Sequence, residues 1–421
     1  MSSRRVFMKQ AGLALFAAGL GGVPGFLANT ALAAKPTRLY KKGKILVFIF
    51  QRGAMDGLMA VTPFTDPFLR QARPSIFMDA VAEKGKKPLI DLDGRFGLHP
   101  SLAPMLQLYK NKQLAILHGM GSPNSTRSHF DAQDYMESGT PFHKGTASGW
   151  LNRAVGLMGH EATPFRAVSI TSSLPRSFYG DQSALAISNL DDFAIQLKGN
   201  PMLAQSAAKS FEDLYDHTTN NLLNKTGKES FEAMKMLESA AAKKYVPSNG
   251  AVYPNSPLGQ SLKEVARLIK MDVGLEVAFA ESGGWDTHFN QGTDNGSFGR
   301  NAADLANSIN AFWNDIADRH DDVLLMTSTE FGRTVRQNGT GGTDHGRGSC
   351  AFILGTSVNG GMVHGKLDPL AIENLADGRD LAVTTDFRSL FYDVAASHLG
   401  ITDAGILFPE WKGSRSGVMK A

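Results

Sequence analysis

Six side chains of this 421-residue sequence have the chemistry of metal ligands and sit in short polar segments: Asp56, Asp286, His288, Glu330, Asp344 and His345. Carboxylate oxygens and imidazole nitrogens are the donors that hold zinc, manganese or magnesium. A pair of such ions would clamp the attacking and leaving oxygens of an in-line displacement on a phosphate or sulfate ester. Ser122, Ser125, Thr126 and Ser128 add hydroxyls that a metal could ionise for attack on that centre. Arg52, Arg127, Arg333 and Arg347 all lie near acidic residues and have the planar fork that holds a tetrahedral oxyanion bidentately.

Each residue also has a purely structural reading. A single carboxylate after a strand commonly caps a helix or pairs with a nearby arginine, which suits Asp56 as well. His288 by itself fits a hydrogen-bonded structural histidine. Asp131 and Asp134, on a helix read from His129 to Met136, fit caps or a solvated face, and Asp91 to Arg95 fits a turn. What favours a site is the joint placement of the motifs.

That placement follows from the elements. Short apolar runs recur at Ile45–Phe50, Leu114–Leu117, Ala167–Ile170, Leu275–Phe279, Val323–Met326 and Ala351–Leu354. Most are continuous rather than alternating, as in strands buried on both faces of a parallel sheet. Leu305, Ile309, Phe312 and Ile316 are spaced for one helical stripe; Leu262, Val265, Ala266 and Ile269 form another, with Ser256-Pro257 as its start. Strands alternating with helices predict an open α/β sheet. Residues 201–250 read as a helical insertion, with Leu203, Ala207, Phe211 and Leu214 on one face, and the Gly-rich run Gly339 to Thr343 as a flexible loop. The polar motifs directly follow four of the strands, and Thr343 to Gly348 enters the last. In an open α/β sheet the carboxyl ends of the strands form the ligand crevice, so five distant segments should converge there.

The N-terminus carries a different message. Ser3-Arg4-Arg5-Val6-Phe7-Met8-Lys9, the apolar run Ala11 to Leu20 and the small-residue pattern Ala31-Leu32-Ala33 fit a twin-arginine signal peptide over residues 1–33. Gly21, Gly22 and Pro24 interrupt the run, whereas a bilayer span needs roughly 20 apolar residues. The expected mature chain, 34–421, is a periplasmic or secreted protein with no transmembrane anchor after cleavage and with the twin-arginine translocase as its export partner. The net charge of +3 comes entirely from Arg4, Arg5 and Lys9 of this segment, so the mature chain is neutral. No basic balance remains to point to nucleic acid. With one cysteine, Cys350, there is no internal disulfide, and stability must come from a large core.

Longer motifs carry a resemblance. GAMDG at 53–57, LHPSLAPMLQLY at 98–109, GSPNSTRSHFDAQDYMESG at 121–139, GGWDTH at 283–288, EFGRT at 330–334 and TDHGRGS at 343–349 resemble the exported DUF1501 family. That family is grouped with the alkaline phosphatase superfamily of phosphatases, sulfatases and cofactor-independent phosphoglycerate mutases. The resemblance implies an alkaline-phosphatase-like three-layer α/β sandwich with a largely parallel central sheet. It also implies a divalent metal cofactor, one ion or two: Asp286 and His288 with His345 at one, Asp56 with Glu330 at the other. A hydroxyl at Thr126 or Ser128, at a helix N-terminus, would be the nucleophile. The chain departs from the superfamily pattern in placing Phe331 after Glu330 where a histidine is usual, and in leaving one residue rather than three between Asp286 and His288. Two functions remain open: a metal-dependent hydrolase of a small-molecule or glycan ester, and a non-catalytic protein that uses the same crevice to bind an anionic glycan, an envelope component or a protein partner.

Overall fold

The run at Ile45 forms strand β1 (Ile45–Gln51), buried at every position. Ile45, Val47 and Ile49 enter one hydrophobic core, and Leu46, Phe48 and Phe50 enter a second on the opposite face. Two covered faces explain why the run is continuous. The first core is roofed by helices Pro257–Met271 and Ser297–Asp315; the second by Trp150–Leu157, Phe387–His398 and Ala404–Leu407. The architecture is therefore three layers, helix, sheet and helix. The computed structural model describes residues 43–82, 85, 87–159, 163–190 and 245–420. The export segment and most of the 201–250 insertion lie outside the described residues.

Along the chain the further strands are β2 (Val61–Pro63), β3 (Ile90–Asp91), β4 (Phe96–Leu98), β5 (Leu114–Gly121), β6 (Ala167–Ser169), β7 (Leu185–Ala186), β8 (Val277–Ser282), β9 (Val323–Thr329), β10 (Ser349–Leu354), β11 (Val363–His364) and β12 (Thr385–Asp386). The central sheet runs β11-β5-β10-β9-β1-β8-β6-β7, with β12 also beside β5, while β2, β4 and β3 make a small antiparallel sheet. Every pairing in the central sheet is parallel except those of β10. The exception matters for the site. Because β10 runs backwards, its first residue, Ser349, pairs with Met120 at the end of β5. The segment leading into β10 thus joins those leaving β1, β5, β8 and β9 on one edge.

The two helical stripes are buried as their spacing requires, Ile316 lying just past its helix end. The Ser256 hydroxyl accepts from the Gly259 amide at 3.0 Å, with Pro257 at the first helical position. Asp91 closes its turn by accepting from the amides of Asp93 and Gly94. Phe48 lies edge-on to Trp150 and Phe391, each with ring centres 5.4 Å away, and truncating such a core aromatic to Ala costs about 3–5 kcal/mol.

Candidate metal centre

Two loops are pressed together to build the centre. Gly53, after β1, has φ +113°, and a Cβ there would lie 2.5 Å from the Asp286 amide nitrogen. Only glycine combines that backbone with that approach. Arg52 and Trp285 extend the β1–β8 ladder by two hydrogen bonds, Arg52 N to Ser282 O and Trp285 N to Arg52 O. On the other flank Arg333 and His345 form an antiparallel bridge, so the segments after β9 and before β10 support each other. The loop read as flexible, Gly339 to Thr343, is pinned instead. The Asn338 side-chain oxygen accepts from the amides of Thr340 and Gly342, both at 3.0 Å, and a Cβ on Gly342 would be 2.3 Å from the His288 carbonyl.

Four side chains meet between these loops. Asp286 Oδ1 lies 3.0 Å from His288 Nε2, 3.2 Å from His345 Nε2 and 3.5 Å from His129 Nε2. The His345 Nε2 is 2.9 Å from that of His129 and 2.8 Å from that of His288. Donor atoms of His129, Asp286 and His345 all fall within 4.8 Å of one another. The outer ring nitrogens are anchored separately. Nδ1 of His345 faces the Arg127 carbonyl at 2.8 Å, that of His129 faces Glu330 at 2.8 Å, and that of His288 faces Asp344 at 3.0 Å. A carbonyl and ionised carboxylates only accept, so each Nδ1 carries a proton and, in the neutral ring, each Nε2 presents a lone pair. Three such lone pairs and a carboxylate oxygen then face one another, an arrangement that a divalent cation would satisfy. Metal-binding histidines characteristically donate their other N–H to a carboxylate or backbone carbonyl, and the residues present fit a divalent ion on that ground.

The electrostatics agree. Burial acts to raise the Asp286 carboxyl, but Arg333, with Nη1 at 2.9 Å, then His288 and His129 outweigh it and hold it below the ordinary carboxylate value. Burial likewise opposes ionisation of Glu330, and hydrogen bonds from His129 and Gln133 reverse that. The Asn338 amide, then His288, lowers Asp344. The hydrogen bond to Glu330 raises His129, whereas burial first, then repulsion from a protonated His129 and from Arg333, lowers His345.

The sequence candidates separate by their surroundings. Asp286, His288 and His345 bring donors to the centre. Glu330 and Asp344 lie behind it, as partners of the imidazoles rather than facing the lone pairs. Asp56 lies elsewhere: it caps the turn Gly57–Ala60 and forms a buried ion pair with Arg73 at 2.8 and 3.1 Å, with Gln291 donating to it at 2.7 Å. Asp56 thus takes the helix-cap and arginine-pair arrangement of its structural reading. Among the arginines, Arg52 is held by Glu137 and Glu281, and Arg127 by Asp377 and Asp380, so neither guanidinium is free for an oxyanion. Ser128 caps the helix His129–Ser138, and Thr126 accepts from the Ser128 amide at 3.2 Å. Asp131 pairs with Lys144 and Asp134 with Arg176.

His129 was not among the sequence candidates, having been read only as the first residue of a helix. Its signal was its helix face: His129, Gln133 and Glu137 recur every four residues, an unusual polar stripe on a helix packed against a core. Phe331, which has no donor, forms a wall beside the imidazoles, its ring centre 4.9 Å from His129 and 5.0 Å from His345.

The fold and the centre define an α/β protein with an imidazole-rich site at the carboxyl edge of a largely parallel sheet. The chain belongs to the DUF1501 family, whose model, described as a protein of unknown function, matches residues 43–408. No curated protein matches its sequence. Among solved structures it is similar to the PsFucS1 sulfatase from Pseudoalteromonas sp., at 12 % identity over 94 % of this chain and 77 % of that one, with a TM-score of 0.38. It is similar to the C-terminal periplasmic domain of EcEptC from Escherichia coli, at 10 % identity over 89 % of each chain, with a TM-score of 0.41. It is also similar to an alkaline phosphatase from the Antarctic bacterium TAB5, at 12 % identity over 75 % of this chain and 93 % of that one, with a TM-score of 0.29.

Proposed function

We propose that this protein is an exported hydrolase of phosphate or sulfate esters that works with one divalent metal ion held by His129, Asp286, His288 and His345. The observation that carries the reading is the orientation of the three imidazoles, each with Nδ1 anchored from behind and Nε2 facing the same carboxylate oxygen. The ester class comes from the resemblance of the sequence motifs. A nitrogen-rich set suits zinc better than magnesium. Bound there, the ion would supply Lewis acidity to an ester oxygen.

The chain's own groups have distinct tasks. Glu330, Asp344 and the Arg127 carbonyl hold the imidazole tautomers. Arg333, buried beside Asp286, keeps that carboxylate ionised and directed. Arg347 is the arginine suited to the ester's anionic group. Of Arg52, Arg127, Arg333 and Arg347, it alone makes no ion pair within 4 Å among the described residues, and its Nε is buried without a hydrogen bond. Ser128 and Thr126, close before His129, are the nucleophile candidates. Each hydroxyl oxygen accepts from a backbone amide, which leaves its proton to be given up on attack.

Metal analysis of the exported protein, followed by assay of chromogenic phosphate mono-, di- and sulfate esters, tests this reading. Stoichiometric zinc with turnover abolished in Asp286→Ala and His345→Ala is the expected result. Metal-free protein with no turnover after reconstitution would leave the anionic-ligand binding function in its place. Export by the twin-arginine route is part of the proposal. No helix among the described residues is long and apolar enough to cross a membrane. Replacing Arg4 and Arg5 with lysine should retain the precursor in the cytoplasm, and unchanged export would refute the route.

A further inference from the structure

We infer that Arg52 and Gln133 form a hydrogen-bond relay that fixes the tautomer of His129, so that Arg52 is a positioning residue for the metal centre rather than an anion clamp. The inference rests on the metal-site reading for its consequence, but its geometry stands without it.

The relay begins on one face of the helix His129–Ser138, where residues four apart lie above one another. Glu137, buried, accepts from the Ser177 amide and hydroxyl at 3.0 and 3.1 Å and from Arg52 Nη1 at 2.6 Å. Glu281 takes the other edge of the same guanidinium, at 2.7 Å from Nη2 and 3.1 Å from Nε. So fixed, Arg52 Nη1 directs a hydrogen at the Gln133 side-chain oxygen at 3.1 Å, and Gln133 Nε2 donates to Glu330 Oε1 at 3.0 Å. Glu330 Oε1 also accepts from the Gly53 amide at 2.9 Å and faces His129 Nδ1 at 2.8 Å.

The orientation of the Gln133 amide follows from Arg52. A guanidinium is donor-only, so the Gln133 group facing it must be the carbonyl. The amide NH2 then faces Glu330, whose carboxylate must accept. The reversed amide would set donor against donor at Arg52 and acceptor against acceptor at Glu330. With Glu330 accepting, His129 donates from Nδ1, which in the neutral ring leaves the Nε2 lone pair toward Asp286 and His345. A residue that touches none of these donor atoms thereby supports the carboxylate that sets the state of one of them.

The relay predicts an asymmetry that size and packing do not. Arg52→Lys keeps a donor-only cation and should keep the tautomer. Arg52→Gln can present either end to Gln133 and should release it, as should Gln133→Leu. Histidine ring nitrogen NMR of the intact metal-free protein reads the tautomer directly, with His118 and His398 as internal reports of folding, since each hydrogen-bonds a distant strand carbonyl through Nε2. Zinc titration of the same samples reads the consequence, an expected affinity loss of about 10–100-fold in Arg52→Gln and Gln133→Leu. The inference is supported if His129 is the Nδ1–H tautomer in the parent and in Arg52→Lys but mixed in the other two, with His118 and His398 unmoved. It is overturned if Arg52→Gln and Gln133→Leu leave the His129 tautomer unchanged, or if Arg52→Lys disturbs it as much as they do. If the tautomer shifts as expected in a parent that binds no zinc, the relay holds and the hydrolase reading fails.

Discussion

Two aspartates of this protein, Asp56 after β1 and Asp286 after β8, look alike in the sequence: each follows a strand, and each ends beside a buried arginine. Their surroundings differ in the balance of donors and acceptors. Asp56 is buried and accepts from both ends of Arg73, from Gln291 and from the Met59 amide, so both oxygens are satisfied by groups that carry their own protons. Asp286 is half-exposed and faces one arginine and three imidazole nitrogens whose protons are committed elsewhere. Saturation makes the first a structural pair. The surplus of lone pairs makes the second a candidate site for a cation.

The strongest way to break this contrast is to remove a donor from each. His345→Ala should reduce bound zinc to substoichiometric levels and ester turnover by more than about 100-fold, beyond the effect typical of an outer partner, whereas Asp56→Asn should leave zinc per folded molecule unchanged. Loss of zinc in both variants would erase the distinction. Arg73→Leu probes the structural pair from its other side. It leaves a buried carboxylate without its cation, and urea unfolding should show about 3–5 kcal/mol of destabilisation; a change below about 1 kcal/mol would mean that Asp56 is not held as described.

Acid should separate structural from centre imidazoles next. Burial pushes His99, His118 and His398 down to about 4, so in the folded protein each is neutral where the unfolded chain already binds a proton. Stability is then full above the unfolded value near 6.5 and falls as pH drops toward 4, by up to roughly 3 kcal/mol for each group. Urea midpoints between pH 7.5 and 4.5 measure the slope, and a flat profile would contradict the buried neutral state. The smallest effect belongs to Asp344→Asn. It weakens one outer anchor and should lower zinc affinity about 10–100-fold with little change in unfolding; no change would remove His288 from the oriented set.

Much of the fold was legible because strands covered on both faces announce themselves as continuous apolar runs. All six runs became strands of the central sheet, and both helical stripes were buried. The reversal of β10 was not legible, since an apolar run does not encode its direction, yet it is the reversal that carries His345 to the crevice edge. In the site, Asp286, His288 and His345 were readable from donor chemistry in loops after or before strands. His129 was not, because a histidine opening a helix has no distinctive neighbour in sequence; its partner Glu330 lies 201 residues away. Arg52 and Arg127 misled for the same reason, since their carboxylate partners come from other segments.

The sequence by itself determined the family, the layered α/β architecture and the edge at which the chemistry gathers, because periodicity and short motifs are local properties. Tertiary structure alone decided which carboxylates are saturated, which arginines are neutralised and which imidazoles share a centre. Those are matters of how many donors and acceptors meet within about 3 Å, and the groups that meet are brought there by strand order, not by sequence proximity.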